Sequence, residues 1–249
     1  MRLLSVLAML PLIACSGHSD ATDSAATGGS GEPAAVQGTG TSRSYDVTGF
    51  DQVDLRGSDD VDVRVGGAFA IQATGPAELL DKLEITKDGS TLKVGRRGNS
   101  FSWGGGEGRE VKVMVTMPAI RGASISGSGD LSVDRVEGDD FAASAAGSGD
   151  LKVGTIKTKS AHFSVAGSGS ITAAGTTGDV KMNIAGSGDI DAEHLTASTG
   201  DISMQGSGDI DATINGTAKV SMMGSGDVEV RGGAKCDVSK MGSGDVRCG

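Results

Sequence analysis

Aromatic side chains are scarce in this chain: of 249 residues, five are Phe, one is Tyr and one is Trp. The flat aromatic platforms on which sugar rings commonly stack are therefore in short supply. Histidine is rarer still, and His18, His162 and His194 are scattered. None has a metal-ligand spacing or a placement beside a nucleophile, and neither an HExxH nor a GxSxG motif occurs. Basic residues are outnumbered, 22 Lys and Arg against 32 Asp and Glu, for a net charge of −10 and a pI near 4.7. That balance argues against nucleic acid as a partner and against a basic membrane-binding patch. Glycine is abundant, at 42 residues, but it does not follow the three-residue period of collagen. Gly and Pro together also stay below the roughly 25–30% that would mark a low-complexity chain.

A long apolar run is missing as well. The longest stretches from Leu3 to Ala14 behind Arg2, broken by Ser5 and Pro11. It is too short to span a bilayer and fits a signal peptide over residues 1–14. Its end, Leu12-Ile13-Ala14-Cys15, resembles the lipobox of bacterial lipoproteins, which predicts lipidation of Cys15 and anchoring to a membrane through that lipid. Ser16 rather than Asp follows, as in lipoproteins sorted to the outer membrane; the sequence does not decide between its surface and its periplasmic side. From Cys15 to Ser44 the composition is Ser, Gly, Ala, Thr and Asp with Val36 as the one large apolar residue, so residues 15–44 are expected to be a disordered tether.

Residues 45–249 form the folded part, and its larger portion, 122–249, is a repeat. Gly-Ser-Gly-Asp or a close variant begins at Gly127, Gly147, Gly167, Gly186, Gly206, Gly224 and Gly242, at intervals of 20, 20, 19, 20, 18 and 18. Four residues after each first Gly stand Leu131, Leu151, Ile171, Ile190, Ile210, Val228 and Val246. Two residues before it stand Ile125, Ala145, Val165, Ile184, Met204, Met222 and Lys240. The apolar columns are separated by even numbers of residues, with Ser, Asp, Lys and Thr between them, which is strand periodicity. One strand-rich unit per 18–20 residues predicts a parallel β-solenoid, its coils stacked about 4.8 Å apart. Lys240, the one polar residue in its column, marks the open end of the stack.

The outward positions carry the candidate binding face. Ser128, Ser148, Ser168, Ser187, Ser207, Ser225 and Ser243 follow the first glycines, and Asp130, Asp150, Asp189, Asp209, Asp227 and Asp245 lie two further on, with Ser170 interrupting the row. Carboxylates 4.8 Å apart repel by roughly 0.9 kcal/mol per pair in water. Backbone N–H groups at the turn could offset that cost; a row of calcium ions is the alternative. No cofactor is expected. Cys236 and Cys248 both fall on the inward phase of the last coil, and in an oxidising compartment they are candidates for a disulfide.

Residues 45–121 are strand-rich but less regular, and are expected to cap the first coil. Phe50-Asp51-Gln52-Val53, the Leu79–Leu83 element, the strand ending Met117-Pro118 and the reiterated Gly-Ser-Gly-Asp together resemble the bacterial GIN domain, the head domain assigned to auto-transporter adhesins. The resemblance implies an all-β, right-handed parallel β-helix and carries over no catalytic residue. It leads to the expectation of a non-enzymatic envelope lipoprotein that binds or adheres, with a surface glycan or protein as ligand. The Ser/Asp face is expected to offer polar contacts, while Phe101 and Trp103 on a Gly-rich loop either fold back on the core or offer an apolar contact. A periplasmic structural or stress-related lipoprotein and a calcium-stabilised carbohydrate-binding domain are the alternatives.

Overall fold

Alternation of apolar and polar residues builds almost every element of this chain. The computed structural model describes residues 31–97 and 111–249. In chain order its elements are β1 (Glu32–Pro33), β2 (Ala35–Gln37), β3 (Ser42–Asp46), β4 (Gln52–Gly57), β5 (Asp60–Val65), β6 (Ala70–Thr74), the single helical turn α1 (Ala77–Leu80), β7 (Leu83–Asp88), β8 (Thr91–Arg96) and β9 (Lys112–Met117). The regular part follows with β10 (Gly122–Gly127), β11 (Leu131–Glu137), β12 (Asp140–Gly147), β13 (Asp150–Gly167), β14 (Ser170–Gly186), β15 (Asp189–Gly206), β16 (Ile210–Gly224), β17 (Val228–Arg231), β18 (Lys235–Gly242) and β19 (Val246–Cys248).

The repeats stack as a parallel β-solenoid, as their period predicts. Strands entering a Gly-Ser-Gly-Asp corner form one column of parallel pairs, through β10, β12 and the second halves of β13 to β16, ending in β18. Strands leaving the corner form a second column, from β11 through the first halves of β13 to β16, then β17 and β19. Register breaks are confined to the return between the columns, at 153–156, 172–175 and 192–199, and they absorb the differences in coil length. The apolar columns fill the interior, where Phe141, Phe163, Leu131, Leu151 and Ile156 are almost fully buried.

An eighth copy lies outside the run of seven. Gly57-Ser58-Asp59-Asp60 occupies the corner beneath Gly127, with β4 in register under β10 and β5 under β11. Val53, Leu55, Val61 and Val63 fill the inward columns of that layer, all buried. A separation of 70 residues and Asp59 in place of the second glycine conceal it in the sequence. A further layer lies below, because β8 pairs parallel to β4 and β9 parallel to β5. The chain thus builds its second layer before its first.

The lower end is closed by antiparallel strands. β7 pairs with β8, β6 with β9, β3 with β6 and β2 with β3, while β1 lies along β7. The ring of Phe50, itself part of the core, meets that of the partly buried Phe69 at 4.8 Å between centroids. The cap expected of residues 45–121 therefore begins earlier, at Glu32, and the expected tether over 15–44 is shortened by β1 to β3. Composition alone indicates that this segment cannot bury itself, and Val36 is indeed 53% exposed. Main-chain pairing to an open sheet edge orders β1 and β2 without burial of their side chains.

Candidate binding face

The corner explains why both glycines recur. The first has positive φ in every copy, from 120° at Gly147 to 144° at Gly206, and a Cβ on Gly206 would sit 1.8 Å from the Gly186 carbonyl oxygen. At the second glycine a Cβ on Gly208 would stand 1.9 Å from the Gly188 oxygen. Close stacking lets the N–H of each corner serine donate to the carbonyl of the first glycine one layer down. Ser128 to Gly57, Ser148 to Gly127 and Ser168 to Gly147 span 2.8–2.9 Å, and Ser187, Ser207, Ser225 and Ser243 repeat the bond upward. The serine side chains of this column are exposed, and among the described residues none of their hydroxyls has a protein partner.

The aspartates above them are not idle. The N–H of Asp150 donates to Asp130 Oδ1 at 3.4 Å, that of Asp209 to Asp189 at 2.9 Å, that of Asp227 to Asp209 at 2.9 Å and that of Asp245 to Asp227 at 2.8 Å. Every carboxylate below Asp245 thus spends one oxygen on the layer above, which offsets the repulsion along the row. Ser170 takes part from above Asp150, with its N–H and hydroxyl donating to Asp150 Oδ1 at 3.1 and 2.8 Å. Having no carboxylate beneath it, the Asp189 N–H turns to the Gly169 carbonyl at 3.2 Å. No group of three or more His, Cys, Asp or Glu among the described residues is placed to hold a metal ion, so the calcium row lacks a ligand cluster. What the ridge presents outward is a column of free hydroxyls beside the second oxygen of each aspartate.

Further around this face, acids and bases interlock. Arg231 reaches Glu193 at 2.8 Å, Glu229 at 3.0 Å and Asp211 at 3.5 Å. Burial pushes the Asp211 carboxyl above its ordinary value, opposed by the Arg231 charge. Lower down, hydrogen bonds from Lys112 and Ser132 hold the Asp62 carboxyl below the usual range.

The strands entering the corner carry a second polar face, which the reading of Ser/Asp columns alone passes over. Lys181, Asp201, Lys219 and Asp237 stack in register on successive layers, flanked by Asn183, Ser203, Ser221 and Ser239. All four charged groups are exposed, and among the described residues they make no ion pair or side-chain hydrogen bond. An alternating-sign column five residues before each of the last four corner glycines is the sequence signal for it. Met223 and Met241, 55% and 68% exposed, border this face. Met182, Met204 and Met222 are core, whereas Met241 points outward.

At the open end, Cys236 and Cys248 are joined as a disulfide with Cα atoms 6.5 Å apart. Cys248 stacks on Val230 and Cys236 on Ala218, but with no layer above them Cys248 is exposed and Cys236 half-buried rather than enclosed. Lys240 folds over the same end, donating from Nζ to the Gly244 carbonyl at 2.6 Å. His162 is exposed at the surface, its imidazole pKa lowered by partial desolvation and by Lys181, and His194 stands beside Glu193 at 3.1 Å. Cys15, His18, Phe101 and Trp103 lie outside the described residues. No helix among the described residues is long and apolar enough to cross a membrane.

These corners and columns are those of a known family. The family model described as "Putative auto-transporter adhesin, head GIN domain" matches residues 49–234. The chain belongs to the GIN-domain family. Solved structures share the fold. A Bacteroides fragilis protein titled a putative adhesin is 21% identical, with a TM-score of 0.75 over 82% of this chain and 94% of its own. A Parabacteroides distasonis protein titled a putative lipid binding protein is 23% identical, with a TM-score of 0.66 over 85% and 97%. A Parabacteroides merdae putative adhesin is 19% identical, with a TM-score of 0.62 over 84% and 95%. None of the curated proteins matches. The GIN-domain match stops short of β18 and β19 and of the cap strands β1 to β3, so the disulfide-closed end and the extended cap lie outside the matched region.

Proposed function

We propose that this GIN-domain protein is a non-enzymatic binding module of the bacterial cell envelope, held to the outer membrane by a lipid on Cys15 and working by adhesion to a surface glycan or protein. The observation that carries this reading is the exposed ridge of free serine hydroxyls, present at every layer from Ser128 to Ser243, beside half-committed aspartates in every layer but that of Ser170 and the topmost. A regular polar ridge suits multivalent contact with a repeating or extended partner, because identical weak contacts in series add through effective concentration. The scattered histidines and the engagement of Glu193, Asp211 and Glu229 with Arg231 supply no cluster poised for acid–base chemistry.

The test is protease shaving of intact cells against opened cells, with detection of the folded part. Digestion on intact cells is the expected result and supports adhesion to a surface or neighbouring cell. Survival until the envelope is opened overturns it in favour of a periplasmic structural role.

A further inference from the structure

The second polar face, on the strands entering the corners, is self-complementary. Four successive layers of β14, β15, β16 and β18 present four outward columns in continuous register, free of the bulges that interrupt the other side. Read from lower to upper layer, one column is Lys181, Asp201, Lys219, Asp237. A second copy laid face to face and turned by a two-fold axis parallel to the strands, passing between the Asp201 and Lys219 layers, meets that column in reverse order. Lys181 then faces Asp237 of the other copy, and Asp201 faces its Lys219, so all four positions find opposite charge.

The neighbouring columns obey the same operation. Asp179, two residues before Lys181, is three layers below Lys235, and the axis brings these two opposite each other across the copies. The hydroxyl column sets Ser203 against Ser221. Along the edge, Met223 meets Gln205 and Met241 meets Ala185, so the two most exposed large apolar side chains among the described residues gain cover. A two-fold axis parallel to the solenoid axis would instead place Lys181 on Lys181 and Asp201 on Asp201. The pattern thus selects one orientation, as an isologous interface requires.

We infer that this face docks a second copy of the chain in antiparallel orientation. Four layers of about 4.8 Å and eight residues of about 3.3 Å give a patch of roughly 500 Å² per copy, or about 1,000 Å² in all. That lies at the small end of specific interfaces, and it fits a reversible rather than a permanent dimer. The axis points the two capped N-terminal ends in opposite directions, the arrangement needed by copies standing on facing surfaces. The inference rests on the binding-module reading for its biological role and deepens it, by making the ligand another copy.

The experiment is sedimentation velocity on the full chain over a range of concentrations at low and high salt, with Asp201→Lys, Lys219→Asp, their equimolar mixture and the doubly exchanged chain. The native chain is expected to dimerise, more weakly at high salt. Each single variant, having like charges across the axis, should dissociate roughly tenfold more readily or beyond. Mixing the two variants sets a wholly basic pair at these two positions of one copy against a wholly acidic pair on the other and should restore the dimer, as should the double exchange. A native chain that stays monomeric, or an association indifferent to these exchanges, such as one through the apolar N-terminal run, overturns the inference. Shaving bears on where the domain is displayed and sedimentation on what it binds, so one can fail without the other.

Discussion

At the second corner position, glycine stands in every regular layer and a buried acid, Asp59, in the layer directly beneath them. Asp59 is fully buried, and its carboxylate accepts from Arg96 Nε at 2.8 Å and, through its other oxygen, from Nη2. This hydrogen-bonded partner holds the guanidinium pKa above its ordinary value. Removing Arg96 strands a charge with no water to receive it. Arg96→Ala should therefore cost about 3 kcal/mol, near the lower bound for an orphaned buried charge because Arg96 is itself 29% exposed. Asp59→Gly combined with Arg96→Ala restores the glycine of the other corners and should recover most of that loss, a coupling read from urea midpoints of the single and double variants. Asp62 gives a second prediction at this scale. Its folded pKa is depressed, so its contribution is present above the unfolded value of about 3.9 and is lost as pH falls through the lower folded value. Asp62→Asn removes that dependence, and thermal midpoints measured below pH ~4 should fall less steeply with acid than in the native protein.

Among the elements, the last coil differs most from its neighbours. β18 is exposed at nearly every residue, and Val238, in a column buried below it, is 43% exposed. Its attachments are one parallel neighbour, the Lys240 bond to Gly244 and the disulfide to β19. Closing a loop of 12 residues contributes about 2–3 kcal/mol in the chain-entropy picture. Cys248→Ser should release that amount locally. Hydrogen exchange is the measurement, with protection expected to fall in β17 to β19 and to persist in β13 to β15; uniform loss would mean the coils unfold as one unit.

Across the whole molecule, what the sequence discloses depends on whether neighbours in space repeat along the chain. The seven corners, the inward columns and the open end at Lys240 are legible because each layer copies the previous one and the alternation repeats. The copy at Gly57 is not, because β6 to β9 intervene and Asp59 interrupts the motif. The strands β1 and β2 escape composition altogether, since they are held by main-chain bonds to an edge. The candidate faces divide in the same way. The Ser/Asp ridge stands out as identical residues in a column, whereas the Lys/Asp face alternates in sign over four copies only and is passed over unless its fixed offset from the corner glycine is counted.

The order in which layers are made has a consequence for how the chain reaches this state. β4 lies between β8 and β10, and β5 between β9 and β11. A chain threading out N-terminus first therefore cannot complete its second layer from what has already emerged. Closure of the base waits for β8 and β9, through Met117, with long loops to be drawn in before any contact rewards them. From β12 onward each strand finds a finished template directly below. Growth then proceeds by local addition, 18 to 20 residues at a time, so a single slow nucleation at the base is followed by rapid zippering toward the disulfide.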